Sequence, residues 1–369
     1  MKGDERLRAL LARWVRPAVA AMNAYHVPPA QGLIKLDAME NPWAWPGELE
    51  QAWLEALRGL ELNRYPDPSG GELLPALREA MAVPPEAEII LGNGSDEIIQ
   101  MILLAVGGPG RVVLVPEPTF VMYRVIATAA GLDCVGVPLR GDFGLDREAM
   151  LRAIAEHRPA VVFLARPNNP TGNLFAAADV EAVIDAAPGL VVVDEAYHVF
   201  AGETFMDRAG GPPNLLVMRT VSKMGLAGLR LGLLAGPPAW VETLHKVRLP
   251  YNINTLTQAS AAFALEHRDV LLDQARAVRA QRSRLGQALA ALPGVTAWPS
   301  AANFILFRVA GRAAGAVFHG LRERGVLIKN LDGSHPLLAG CLRVTVGRPE
   351  ENDAFLDALA DVLRETEGG

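Results

Sequence analysis

The runs AVVFLARP (160–167), LVVVDEA (190–196), NLLVMRT (214–220) and LRLGLLAG (229–236) decide the fold. Each is short, rich in β-branched and leucine side chains, and apolar without alternation. A strand wetted on one face alternates apolar with polar residues, so unbroken apolar runs mark strands covered on both faces. Upstream, EIILGNG (88–94), RVVLVPEP (111–118) and DCVGVPL (133–139) extend the series, with helical patterns between the runs. Seven runs of this kind predict an α/β fold whose large domain holds a seven-stranded, mostly parallel sheet covered by helices. Ligands of such sheets gather at the carboxyl ends of the strands.

Downstream the pattern changes. TQASAAFALEHRDVLLDQARAVRAQRSRLGQALAAL (257–292) carries alanines and leucines at helical spacing with arginines between them, and reads as a link into a second domain. VTAWPS (295–300), NFILFRV (303–309), GVLIKNL (325–331) and CLRVTVG (341–347) follow, with the helical AGAVFHGLRERG (314–325) between the second and third and a closing helix from about Glu350. These predict a smaller α+β domain. The first 35 residues match neither pattern, so the chain divides into an arm at 1–37 that joins the small domain and the site, a large domain at 38–255, and a linking helix with the small domain at 256–369.

A chain of 369 residues, half of them hydrophobic, can fill the cores of two or three domains and is not a disordered or fibrous protein. Its formal charge of −6 comes from scattered residues, without the basic stripe that nucleic acid or an anionic membrane requires. Cys134 and Cys341 stand far apart, which excludes a disulfide framework or thiolate metal cluster and fits a reducing cytoplasm. The seven histidines form no metal-binding pattern. The opening MKGDERLRALLARWV mixes acids and arginines with its leucines, unlike a signal peptide, and no uncharged apolar run approaches the length of a membrane span. No G-x-x-x-x-G-K-[ST] occurs, and the glycines of GNG lack a third partner at dinucleotide-binding spacing.

The strand ends hold the chemistry. RPNNPTG (166–172) follows a buried run with two asparagines and two prolines; by itself it is a turn in which Asn side chains bond the backbone. Asp194 comes directly after four apolar residues, at a sheet end where a carboxylate short of water needs a cationic or N–H partner. Ser222 and Lys223 follow the next strand, with Arg230 seven residues past the lysine. Alone, Lys223 reads as a solvated surface residue. Among apolar residues at a strand end, a lysine can lose its proton and become a nucleophile.

In this order, NPTG, then D-x-A-Y, then S-K with a following arginine resemble the pyridoxal-phosphate aminotransferases of fold type I, over nearly the whole chain. The resemblance implies a pyridoxal 5'-phosphate cofactor bound covalently by Lys223, which also carries the proton between substrate and cofactor carbons. It gives Asp194 the task of keeping the pyridine nitrogen protonated, and Asn169 and Tyr197 that of hydrogen-bonding the ring oxygen. Ser95, Asp96 and Glu97 open a helix whose free N–H groups and dipole attract an anion, so with Ser222 and Arg230 they form the implied phosphate cradle. The two acids read equally as first-turn residues that offset the dipole. The loop between Lys223 and Arg230 is one residue shorter than is usual in the family. Phe120, in PEPTFVMY, matches the ring stacked on the pyridine face and otherwise reads as a core phenylalanine. Tyr123 then falls near the substrate. Tyr65, in LNRYPDPSGG, matches a tyrosine that reaches the phosphate of a partner subunit's cofactor, which implies a homodimer.

Within that family, AYHVPPAQGLIKLDAMENPW (24–43), RYPDP (64–68), VRLPYNIN (247–254), ANFILFRV (302–309) and CLRVTVGRPEEN (341–352) are similar to the histidinol-phosphate aminotransferases. That similarity implies transfer of an amino group from glutamate to imidazole-acetol phosphate, giving 2-oxoglutarate and histidinol phosphate. Arg343 becomes the guanidinium that forks to either the glutamate carboxylate or the substrate phosphate; otherwise it reads as a solvent-facing strand arginine. Tyr25, Asn41, Tyr123, Tyr251 and Asn254 are implied as polar lining of the substrate site, and Lys329 stands where the family often has arginine. Arg166 departs from the small or polar residue common before PNNPTG. The alternatives on the same scaffold are an aromatic or aspartate aminotransferase and a threonine-phosphate decarboxylase. A cofactor-binding transcription regulator would need a basic DNA-binding domain, for which the first 35 residues are too short.

Overall fold

The computed structural model describes residues 2–24 and 28–365. In chain order its strands are β1 (Ile34–Lys35), β2 (Glu88–Gly92), β3 (Val112–Glu117), β4 (Asp133–Pro138), β5 (Val161–Ala165), β6 (Leu190–Asp194), β7 (Leu215–Thr220), β8 (Gly232–Gly236), β9 (Val295–Ala297), β10 (Phe304–Val309), β11 (Val326–Leu327), β12 (Lys329–Asn330) and β13 (Cys341–Thr345). Strands β2 to β8 form one sheet in the order β2-β8-β7-β6-β5-β3-β4. All seven apolar runs are therefore strands, and only β8 runs against its neighbours. The connection from β7 to β8 explains the reversal: residues 221–231 are too few to cross over the sheet through a helix, so the chain turns back on itself.

Alternate residues of the central strands bury in opposite directions. Val162, Leu164, Val191, Val193, Leu215 and Val217 belong to one apolar core, while Val161, Phe163, Leu190, Val192, Leu216 and Met218 belong to another. Helices Leu73–Ala80, Arg147–His157 and Ala177–Ala186 contribute to the first core; Gly94–Val106, Met122–Ala130 and Pro238–His245 contribute to the second. Covering both faces is what permits unbroken apolar strands.

The later strands form a four-stranded antiparallel sheet, β12-β13-β10-β9, and a two-stranded parallel pair, β1-β11. The single run GVLIKNL thus divides: Val326 and Leu327 pair with the arm strand Ile34–Lys35, whereas Lys329 and Asn330 pair with β13. Helices Arg268–Ala291, Ala314–Glu323 and Pro349–Arg364 cover this part, and its core also takes in Leu36 and Tyr197.

The long helical run breaks at His267 into Thr255–Glu266 and Arg268–Ala291. The first piece buries Ala261, Ala264 and Leu265 in the core of the large sheet; the second buries Val278, Leu285 and Leu289 in the smaller core. Leu271 of the second helix still belongs to the large-sheet core and Ala275 to the smaller one, so the passage between cores falls between those two residues. The arm contains helices Lys2–Trp14 and Pro17–Ala20, and Arg16 donates to the Ala129 carbonyl on the large domain. No helix among the described residues is long and apolar enough to cross a membrane.

Candidate active site

The carboxyl ends of β2, β3, β5, β6 and β7 meet one cavity of about 130 Å³. Asp194 is the last residue of β6, and Ser222 and Lys223 form a single helical turn just after β7. Because β8 is reversed, Arg230 returns to the same edge immediately before it. Ser95, Phe120, Asn169, Asp194, Lys223 and Arg230 all line the cavity, with Tyr197 and Ser222.

Lys223 approaches the Ala38 carbonyl at 3.5 Å and lies 5.8 Å from the centre of the Tyr197 ring. Burial, reinforced by the positive charge of Arg343, lowers its ammonium pKa to about 8. An amine poised there loses its proton readily and becomes nucleophilic. Asp194 is 4% exposed. Tyr123 donates to its Oδ2 at 2.5 Å and the Ala196 N–H donates to its Oδ1 at 3.0 Å. Burial raises its pKa to about 6, against the lowering effect of those two donors. Such a carboxylate welcomes a protonated ring nitrogen as its counter-charge.

A second chain of contacts starts at Tyr197. Asn169 Nδ2 donates to the Tyr197 hydroxyl at 3.2 Å, and Arg343 Nη1 donates to Asn169 Oδ1 at 2.5 Å. Arg343 Nη2 also donates to the Asp37 carbonyl at 3.0 Å, and its guanidinium lies over the Phe304 ring. The phenol of Tyr197 is held neutral chiefly by burial, which raises its pKa. Arg343 is therefore buried against the Asn169–Tyr197 pair, not turned to solvent, and reaches the site through Asn169.

The anion cradle depends on glycines. Gly94 has φ +77, and a Cβ there would lie 2.7 Å from Arg230 Nη2; a Cβ at Gly232 would lie 3.0 Å from the Ser95 nitrogen. Their absent side chains let the guanidinium and the helix start face one space. Arg230, at φ +49, reaches this space despite its short loop. Ser222 lies in it as well, its hydroxyl 2.8 Å from that of Thr220. Hydroxyls, a guanidinium and free helix N–H groups at one end, with a carboxylate and a lysine nearby, fit a phosphorylated pyridine aldehyde.

Several residues stand elsewhere than the sequence reading places them. Tyr123 is fully buried and spends its hydroxyl on Asp194, so it supports that carboxylate and is not among the residues lining the cavity. Glu97 accepts from the Asn93 N–H at 2.6 Å and from Asn252 Nδ2 at 2.8 Å, which turns its carboxylate away from the cradle. Asn41 bridges the Met224 carbonyl and Gln274, bracing the Lys223 loop against the long helix. Asn254 caps helix Thr255–Glu266 by accepting from the Thr257 N–H at 2.9 Å. Tyr65 and Tyr251 stack on each other, 4.5 Å between ring centres, at the surface outside the cavity. Lys329 pairs with Arg343 across β12 and β13 without lining the cavity. Tyr25 lies outside the described residues.

Met39 and Glu195 escaped the sequence reading, which marked Arg166 only as a departure from the usual residue. Met39 lines the cavity at φ +55, with its N–H on Thr345 Oγ1 and its carbonyl on Asn303 Nδ2. No local sequence signal marks a methionine for the left-handed region. Arg166 is 2% exposed, donates to the Phe175 carbonyl at 2.9 Å and pairs with Glu203, so it ties the loop after β5 to the segment after β6. Next to Asp194 in sequence, Glu195 forms a buried ion pair with Arg219 of β7 at 2.8 Å.

Comparison with known proteins agrees with this geometry. Residues 32–359 match the family described as aminotransferase class I and II. The chain is 60% identical over 349 residues to histidinol-phosphate aminotransferase 2 of Nitrosococcus oceani, covering 95% of this chain and 97% of that protein. It is 57% identical over 362 residues to histidinol-phosphate aminotransferase 1 of Ralstonia nicotianae, covering 97% and 96%. Among solved structures, histidinol-phosphate aminotransferase from Sinorhizobium meliloti in complex with pyridoxal-5'-phosphate superposes with a TM-score of 0.84 at 26% identity, covering 95% of this chain and 98% of that one. By its strand-end chemistry, its sheet and these relatives, the chain belongs to the class I and II aminotransferases.

Proposed function

We propose that this protein is a pyridoxal 5'-phosphate-dependent histidinol-phosphate aminotransferase, moving an amino group from glutamate to imidazole-acetol phosphate to give 2-oxoglutarate and histidinol phosphate. The observation that carries the reading is the convergence of Lys223, Asp194 and the Arg343–Asn169–Tyr197 chain at one sheet edge, in a chain 50 to 60% identical to proteins of that name. When bound, the cofactor supplies a protonated pyridine ring that accepts the electron pair left as the substrate Cα loses its proton. Asp194 holds the positive charge on the ring nitrogen, and Tyr123 keeps that carboxylate ionised. Lys223 Nζ serves as the cofactor's anchor and then moves the proton to and from Cα. Asn169 and Tyr197 would hold the ring oxygen, Phe120 would cover the ring, and Ser95, Ser222 and Arg230 would hold the phosphate. Arg343 presents a fork to either a carboxylate or a phosphate, which lets one site accept two unlike substrates in turn.

The reading includes a cytoplasmic homodimer. The support for the dimer is the stacked pair Tyr65 and Tyr251, 80% and 42% exposed, each with an exposed leucine close in sequence, Leu62 and Leu249, apolar surface that a second copy would cover. The test is a half-reaction: the cofactor-loaded protein is mixed separately with histidinol phosphate, phenylalanine, aspartate and threonine phosphate while its absorbance is followed. Rapid conversion by histidinol phosphate is expected. Preference for phenylalanine or aspartate, or carbon dioxide release from threonine phosphate, would overturn the assignment.

A further inference from the structure

Asp96 is the third residue of helix Gly94–Val106, inside the cradle that the functional reading assigns to a phosphate. Its Oδ2 lies 3.6 Å from Arg230 Nη2. Its Oδ1 is shut off from solvent and accepts no hydrogen bond among the described residues, while the side chain as a whole is 42% exposed, its other oxygen facing Arg230. A buried acceptor without a donor is costly, whereas the same oxygen carrying a proton becomes a donor. A dianion entering at this helix start would share Arg230 with the carboxylate, and two like charges on one guanidinium repel unless one is neutralised.

We propose that Asp96 occupies Arg230 as an internal anion in the cofactor-free protein and takes up a proton from solvent when a tetrahedral dianion enters beside Ser95, Ser222 and Arg230. The inference rests on the reading of those three residues as the phosphate cradle. The groups facing Asp96 are few. On its own helix, Glu97 is held by Asn93 and Asn252. The 221–231 loop presents Arg230 and Lys223, which favour the carboxylate; β6 presents Asp194, and helix Met122–Ala130 the neutral Tyr123. Burial already moves the Asp96 pKa upward against both cations. A new negative charge in the cradle adds to that push, and the protonated oxygen then serves the anion as a donor.

Sulfate is the probe, because it keeps its double charge where Asp96 titrates and cannot condense with Lys223. Its affinity for the cofactor-free full chain is measured by thermal shift from about pH 5.5 to about 8, for the wild type, Asp96→Asn and Asp96→Ala. Linked uptake of one proton weakens wild-type binding by up to roughly tenfold per pH unit once free Asp96 is ionised. Both variants should lose that component, so their affinity relative to wild type rises with pH and exceeds it by about tenfold or more near pH 8. Parallel profiles, weaker binding by the variants at every pH, or no sulfate binding at all would overturn the role of Asp96. Uptake of pyridoxal 5'-phosphate, read by absorbance in the same samples, reports separately on the functional reading: its absence in the wild type overturns that reading.

Discussion

Tyr123 donates its hydroxyl to Asp194 Oδ2 at 2.5 Å, and neither residue is reached by solvent to any useful extent. The bond favours the ionised carboxylate, which burial otherwise penalises. Tyr123→Phe removes that donor and moves the Asp194 pKa above its present value of about 6. A hydrogen bond to a charged group contributes about 1.5–3 kcal/mol, so cofactor binding should weaken by roughly ten- to a hundredfold near pH 6 and by less near pH 8. A titration of pyridoxal 5'-phosphate across that range checks it, and an unchanged profile would show that Tyr123 does not sustain the carboxylate.

The same burial makes Asp194 a liability in the cofactor-free protein. Its carboxyl holds a proton up to about pH 6 when folded but releases it near 3.8 when unfolded. The folded state therefore binds more protons in that window, and stability falls as pH rises from about 4 through about 6. Asp194→Asn should remove this loss, stabilising the cofactor-free protein by about 1–3 kcal/mol near pH 7.5 while abolishing the thermal shift that the cofactor produces. Differential scanning calorimetry with and without pyridoxal 5'-phosphate separates the two effects. A variant less stable than wild type without cofactor would contradict the linkage.

The central strands were legible because burial on both faces leaves no polar residue to interrupt Val161–Ala165, or β6 before its last residue, Asp194. That Lys223, Asp194 and Asn169 line one cavity follows a different signal, the order of the motifs NPTG, D-x-A-Y and S-K, which carried the family resemblance where each residue alone carried little. Orientation was not legible. Whether Tyr123 faces a substrate or Asp194 depends on how helix Met122–Ala130 is turned against β6, a tertiary fact that spacing does not report. Asn254 carries a start signal for the helix it caps, and local capping chemistry accounts for it without any ligand. The reversal of β8 and the division of GVLIKNL between two sheets follow from partners distant in sequence.

Glu195 and Arg219 are each almost wholly buried, and Arg219 also donates to Thr204 Oγ1 and to the Met81 carbonyl, both at 2.7 Å. Removing one partner strands the other charge without water. Arg219→Met should cost about 3–5 kcal/mol, whereas Glu195→Leu combined with Arg219→Met should recover much of that loss. Denaturant unfolding of the wild type, Glu195→Leu, Arg219→Met and the double variant decides it; a double variant that loses as much as the two single ones summed would show that the two residues are uncoupled and that neither change orphans a charge.

Arg343 holds Asn169 Oδ1 and the Asp37 carbonyl, and the shared-anion reading has its guanidinium bind the anionic group of either substrate. Arg343→Ala should raise KM for glutamate and for histidinol phosphate alike, by roughly a hundredfold, the equivalent of about 3 kcal/mol for a charge-assisted contact. Arg343→Lys should retain part of the binding, since charge remains while the planar fork is lost. Steady-state kinetics in both directions supply the check. Damage to one substrate only would mean that carboxylate and phosphate are held by different groups.

Tyr65 stacks on Tyr251 at the surface of the chain, and the segment behind it is fixed by Gln258, which donates to the Asp67 carbonyl at 2.9 Å. If this face carries Tyr65 into a partner's cofactor cradle, its loss and the loss of Lys223 damage different halves of each shared site. Tyr65→Ala and Lys223→Ala proteins should each be impaired alone. Mixed and allowed to exchange subunits, they form one site with both residues intact, so activity should rise above the sum of the separate proteins in proportion to the mixed dimers formed. A merely structural Tyr65 gives no such complementation, because each chain would carry its own defect into every assembly. Activity of the mixture equal to the sum of its components, with subunit exchange verified by mass spectrometry, would place Tyr65 outside the shared site.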